Sequence, residues 1–272
     1  MPGMSMPPPV EIVYVCPLDR SIRHIAPGEC SRRGRRAELV AEVPEPLEFP
    51  VLLTTIPARL QPGEPGRLRF EVRDPWENRI VDGFTVVHES PFHAFVVSED
   101  LDFFLHDHPR REGDGFELGV TLPKPGLYRV LADFLPNAAT PQLATRAFFV
   151  AGDRPGGRTL ERDYRPKLGS NLAVTLTTLP DEPTAGAAAT LRFELSPAAG
   201  VEPYLGVLGH LFVASDDLID LMHSHPSTAQ LGPVADFSVV FPRPRVYRVW
   251  AQFQREGVVN TAHFDVAVGP AP

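Results

Sequence analysis

The chain has 272 residues, among them 31 prolines, 21 glycines and 17 phenylalanines, with a formal net charge of −8 and a pI of about 5.6. Proline at roughly twice its average usage excludes a helical bundle, because each interior proline costs a helix about 3 kcal/mol. The acidic balance excludes a broad nucleic-acid-binding surface, and no run reaches the roughly 18 apolar residues of a membrane-spanning helix. With 43% hydrophobic residues the chain is not disordered. Short apolar runs rich in Phe, Val and Leu and bounded by proline and glycine predict an all-β protein.

The first nine residues, Met-Pro-Gly-Met-Ser-Met-Pro-Pro-Pro, carry neither the positive n-region nor the apolar h-region of a signal peptide. As read, the chain stays in the cytoplasm unless a leader has been removed. Residues 1–45 form a separate small segment containing both cysteines, Cys16 and Cys30; with only two, no disulfide framework holds this fold together. The basic cluster Arg32, Arg33, Arg35 and Arg36 reads as a solvated loop. Tyr14, Cys16, Pro17, Pro27, Gly28, Cys30, Gly34, Leu39 and Val40 resemble the heavy-metal-binding segment of bacterial copper-efflux and related proteins. That pattern runs Tyr-x-Cys-Pro-Met-His-Pro, then Pro-Gly-x-Cys-Pro-x-Cys-Gly-Met. Leu18 and Asp19 replace its Met-His pair, Arg33 its last cysteine and Arg35 its last methionine. The resemblance therefore implies a degenerate site, with two thiols and His24 left as donors.

Beyond residue 45 the chain is written twice. The stretch from His93 to Pro109 matches the stretch from His210 to Pro226 without a gap, each histidine displaced by 117 positions. Leu68-Arg-Phe-Glu-Val72 matches Leu191-Arg-Phe-Glu-Leu195, and Leu127-Tyr-Arg-Val130 matches Val246-Tyr-Arg-Val249. This period is too long for a solenoid and marks a duplicated domain. The copies span 46–152 and 169–272, joined by a polar, glycine-rich linker at 153–168. In the first copy, strands are predicted at 51–56, 66–72, 83–88, 93–98, 101–106, 115–122, 126–134 and 142–151. This spacing is that of an antiparallel β-sandwich, immunoglobulin-like or cupredoxin-like, here in tandem.

Six of the nine histidines fall in the duplicated blocks as His-X12-His-X-His: His93, His106 and His108, then His210, His223 and His225. A tight hairpin turn, with paired positions summing to 199 and 433, would set His93 opposite His106 and His210 opposite His223. Strand side chains alternate, so the third histidine of each set joins the same face. Phe95 and Phe104, and Phe212, Ala214 and Leu221, share that face and predict a core-facing strip with the histidines at its end. Single strand histidines are more often packed than ligating; three on one face suit a transition metal. Neutral imidazole binds zinc, copper, iron or nickel and does not suit magnesium or calcium. His88 and His263 are not duplicated and read as surface or strand-edge residues, and Met222 as packing on the opposite strand face.

Gly209-His210, Met222-His223-Ser-His225-Pro226 and Tyr247-Arg248-Val-Trp250-Ala-Gln-Phe253 also resemble a group of bacterial proteins of largely unassigned function. These often follow a heavy-metal segment. The resemblance implies an exported, periplasmic or extracellular, metal-associated protein. Three functions remain open. One is a copper- or zinc-binding protein with a three-histidine site in each sandwich, for storage, delivery or sensing, whose partners are the metal ion and a protein receiving it. Another is a metal-free interaction scaffold. The third is a zinc-dependent hydratase or hydrolase. Against the enzyme, Asp107 aligns with Ser224 and Asp102 with Ile219, so no carboxylate recurs beside the histidines.

Overall fold

The computed structural model describes residues 12–24, 26–43, 47–153, 156, 159–226 and 232–271. All regular structure among them is strand. The chain divides into two compact units. One comprises Met1–Ala94, Asp107–Leu122 and Ala132–Arg146; the other comprises Phe95–His106, Pro123–Leu131 and Ala147–Pro272. The second unit thus holds the whole second repeat together with three stretches of the first, 95–106, 123–131 and 147–152.

In the first repeat one sheet orders the strands Arg110–Glu112, Gly115–Thr121, Pro65–Val72 and Val51–Ile56. The other orders Phe104–Asp107, Phe92–Ser98, Gly126–Pro136 and Gln142–Val150, with the short strand Phe84–Thr85 paired to Gly126–Pro136. The eight expected strands are all present. The segment expected at 83–88 is reduced to Phe84–Thr85, because a tight turn begins at Val87. Phe92 lies at the centre of the aromatic packing of the first unit. Its ring centroid is 5.2 Å from Phe70, 4.8 Å from Phe116 and 5.1 Å from Phe134.

The second repeat has the same two-sheet plan. Lys167–Leu168, Ala173–Leu179, Ala188–Ser196 and Val234–Val240 form one sheet. Val201–Glu202, Val246–Arg255, Gly209–Ser215 and Leu221–Ser224 form the other, with Val258–Ala267 also paired to Val246–Arg255. Apolar residues alternate with polar ones along the first sheet, as a half-buried antiparallel sheet requires. Its inward side chains, among them Leu191, Phe193 and Phe237, meet Leu211, Val213, Val249 and Phe253 of the second sheet in one core. Met222 packs against this core, on the strand face expected for it.

Both repeats carry the same tyrosine corner, a device of Greek-key sandwiches. Tyr128 Oη donates to the Lys124 carbonyl at 2.9 Å, and Tyr247 Oη donates to the Arg243 carbonyl at 3.0 Å. The cation before each tyrosine then closes the hairpin loop. Lys124 pairs with Asp100 and Asp102, and Arg243 with Asp217 and Asp220.

The face on which the histidines lie departs from expectation. The strand Gly209–Ser215 is buried along its whole length, on both faces. Leu211 and Val213 enter the sandwich core, whereas Phe212, Ala214, Leu221 and Trp250 form a second apolar cluster with Phe95, Val97, Leu101 and Leu131. The strip that ends in histidines therefore belongs to the outer face of the sheet and not to the sandwich interior. It is buried because residues 95–106 and 123–131 pack on it within the same compact unit. Phe95 stacks on Phe212 at 5.0 Å between centroids, and Phe104 on Trp250 at 5.0 Å.

The N-terminal segment holds a three-stranded sheet and a hairpin. Cys16 and Cys30 are disulfide-bonded, so neither thiol is left as a metal donor, and His24 is exposed. The sequence leaves the two cysteines open as free, bridged or ligating, and they are bridged. The arginine cluster is solvent-exposed, as expected, and takes the form of a hairpin turn. Arg32 pairs with Arg35 across a turn in which Arg33 and Gly34 have positive φ, and Arg32 bonds Asp19 and Glu77.

Candidate metal centre

The histidine hairpin of the second repeat is built in a register two residues away from the expected one. Leu211 faces Ser224, Phe212 faces His223 and Ala214 faces Leu221, so paired positions sum to 435. The connection is wider than a tight turn: the Ser215 amide bonds the Asp220 carbonyl, and Ser215 Oγ donates to Asp217 within the loop. The same closure occurs at Ser98 and Phe103. His210 therefore lies level with His225, and His223 stands opposite Phe212. A shift of two leaves every side chain on its original face, since the strand period is two. The three histidines stay together.

Strand pairing ends at Asp107 and at Ser224, one residue short of His108 and His225. Pro109 and Pro226 follow directly and lack the amide needed to continue the ladder. Each His-X-His thus has one imidazole on the strand and one just past its end.

Ring nitrogens of His210, His223 and His225 lie within 4.8 Å of one another; in the first repeat His93 and His108 meet within one compact unit, whereas His106 belongs to the other. His210 is 1% exposed, His93 3% and His106 8%, while His108, His223 and His225 are half-buried. His210 Nδ1 is 3.3 Å from His223 Nε2, and His93 Nδ1 is 3.0 Å from His108 Nε2.

A second contact sets which nitrogen of each buried histidine holds the proton. His210 Nε2 donates to the Tyr204 carbonyl at 3.1 Å, and His93 Nε2 donates to the Val87 carbonyl at 2.9 Å. A carbonyl oxygen only accepts, so Nε2 bears the hydrogen and Nδ1 holds the lone pair. Both carbonyls open equivalent two-residue turns, bridged Val87 to Ser90 and Tyr204 to Val207. The central residues, His88 and Glu89 or Leu205 and Gly206, all have positive φ, as a type I′ turn demands. His88 thus serves as a turn residue, and His263 is exposed on its strand.

The electrostatics agree with neutral rings. Burial, then repulsion from His106, His223 and His225, holds His210 far below the usual histidine range. Burial likewise lowers His93 and His108. Such rings present lone pairs to a cation with no proton to displace.

The donor set fits a transition metal. With metal–nitrogen bonds near 2.0 Å, two ligands of a tetrahedral ion stand about 3.3 Å apart, and His210 and His223 stand at 3.3 Å. The carbonyl on the far nitrogen is the orienting partner that ligating histidines usually have. Sequence reasoning located all six imidazoles but not the two carbonyls; their signal was the equal spacing of six from Val87 to His93 and from Tyr204 to His210. It also missed Gln252, whose Oε1 lies 2.7 Å from His106 Nδ1.

The profile of a domain of unknown function, DUF8832, matches residues 50–151 and again 169–270. The chain belongs to the DUF8832 family. Its two copies account for most of the sequence and carry one histidine set each. No curated protein matches the DUF8832 chain. Solved structures similar to it include the Escherichia coli adhesin FdeC, at 13% identity over 88% of this chain and 71% of that one, with a TM-score of 0.28. A bacterial ice-binding adhesin follows at 11% identity over 83% and 66%, TM-score 0.27. Elastase-activated alpha-2-macroglobulin of Escherichia coli gives 12% identity over 87% and 24%, TM-score 0.28. Likenesses at this level carry no argument about function.

Proposed function

We propose that this protein binds a transition metal, copper or zinc, at its histidine clusters, for storage, delivery to a protein partner, or sensing. One observation carries the reading. His210 Nδ1, freed of its proton by the Tyr204 carbonyl, stands 3.3 Å from His223 Nε2 in a buried setting beside His225. Three neutral imidazoles select borderline metals, and they add no negative charge that would attract magnesium or calcium.

The test counts bound metal. The untagged chain is loaded with copper(II) or zinc, desalted and analysed for metal, alongside the His106→Ala/His223→Ala double variant. Metal retained by the natural chain and lost from the variant supports the reading. No metal at any loading removes it and leaves an interaction scaffold. Metal binding accompanied by ester hydrolysis or hydration activity would instead favour a zinc enzyme.

A further inference from the structure

His106 belongs by sequence to the first histidine set, yet it lies in the same compact unit as the second. Its ring centroid is 5.3 Å from that of His210 and 6.2 Å from that of His223. Two imidazoles on one metal, each with its centroid about 3.1 Å from the ion, have centroids from about 4.4 Å apart at a right angle to about 6.2 Å apart in line. The rings of the second set are themselves 5.6, 4.9 and 4.4 Å apart. His106 therefore stands at ligand distance from a cluster to which its sequence position does not assign it.

Its protonation state is set for ligation. Gln252 lies directly across the strand pair from His210. With its amide nitrogen bonded to Thr261 Oγ1 at 3.0 Å, the amide oxygen faces His106 Nδ1 at 2.7 Å. The oxygen only accepts, so Nδ1 carries the proton and Nε2 holds the lone pair. Phe95 stacks on the ring at 4.2 Å, and Tyr204 meets it edge-on at 6.3 Å. The imidazole is held in place before any metal arrives.

We infer that the second cluster is a four-imidazole site, completed by His106 beside His210, His223 and His225, with Gln252 as a positioning residue. The inference rests on the metal-binding reading and deepens it.

The experiment uses the full chain carrying His93→Ala and His108→Ala, which dismantles the first cluster and keeps His106. Copper(II) is added at one equivalent, and pulsed electron spin resonance counts the coordinated imidazoles while a competing chelator measures affinity. Four imidazoles are expected. His106→Gln in that background is expected to leave three and to weaken binding at least about tenfold, since even outer-shell changes cost about 10–100-fold. Gln252→Leu, which keeps His106, is expected to weaken binding within that smaller range, and thermal melting of the metal-free variants confirms folding. The same imidazole count and affinity with and without His106 overturns the four-imidazole site while metal binding stands. Absence of bound copper in the natural chain as well overturns both.

Discussion

His210 and Tyr204 are joined by a hydrogen bond from the imidazole Nε2 to a turn carbonyl at 3.1 Å, and His93 and Val87 repeat it at 2.9 Å. The same device in both copies fixes tautomers rather than merely satisfying donors. Nitrogen-detected NMR of the metal-free protein is expected to show His93 and His210 as the Nε2–H form and His106 as the Nδ1–H form. The opposite tautomer at His210 would remove the lone pair on which the proposed site depends.

Acid should weaken the metal-free fold. His93, His108 and His210 are held below their unfolded value by burial. The unfolded chain therefore takes up protons near pH 6.5 while the folded one does not. The stability these groups contribute is present above that pH and is lost as pH falls below it. Each fully developed group contributes a slope of up to about 1.4 kcal/mol per pH unit. Denaturant midpoints measured from pH 7.5 to 5 should fall, and a flat profile would contradict neutral buried rings.

Arg248 and Asp265 form a bidentate ion pair at 2.7 and 2.8 Å, almost wholly buried, and Arg248 also donates to the Leu101 carbonyl at 2.9 Å. Asp265→Ala leaves the buried guanidinium with only the partly exposed Asp102 at 3.6 Å as counter-charge, at a cost of about 3 kcal/mol. A depressed melting temperature is expected, whereas Asp181→Ala, which removes the exposed partner of Arg162, should cost about 1 kcal/mol or less.

Phe212 is buried on the outer face of its sheet against Phe95, Phe104 and Trp250. Phe212→Ala should destabilise by about 3–5 kcal/mol, as a core position does. A loss below about 1 kcal/mol would show that this face is open in solution.

Metal should raise stability by mass action. At a free concentration of a hundred times Kd, one ion bound only by the folded state adds about 2.7 kcal/mol. A melting temperature that rises with copper or zinc and returns on chelation is the expected result, and His210→Ala should abolish the rise contributed by the second cluster.

The duplication, the strand positions and the common face of each histidine set are properties of the sequence by itself. They depend on local alternation with a period of two, and an even shift in hairpin register cannot alter the face. For that reason His210, His223 and His225 converge although His210 lies level with His225 rather than His223. Tertiary structure decided what alternation cannot express. Both faces of Gly209–Ser215 are apolar in sequence, and only packing shows that Leu211 enters the sandwich core while Phe212 meets the stretch 95–106. The proton positions on His210 and His106 depend on a turn carbonyl and an amide oxygen brought near by folding. His106 and Gln252 are 146 residues apart, a separation at which only the folded chain specifies who meets whom.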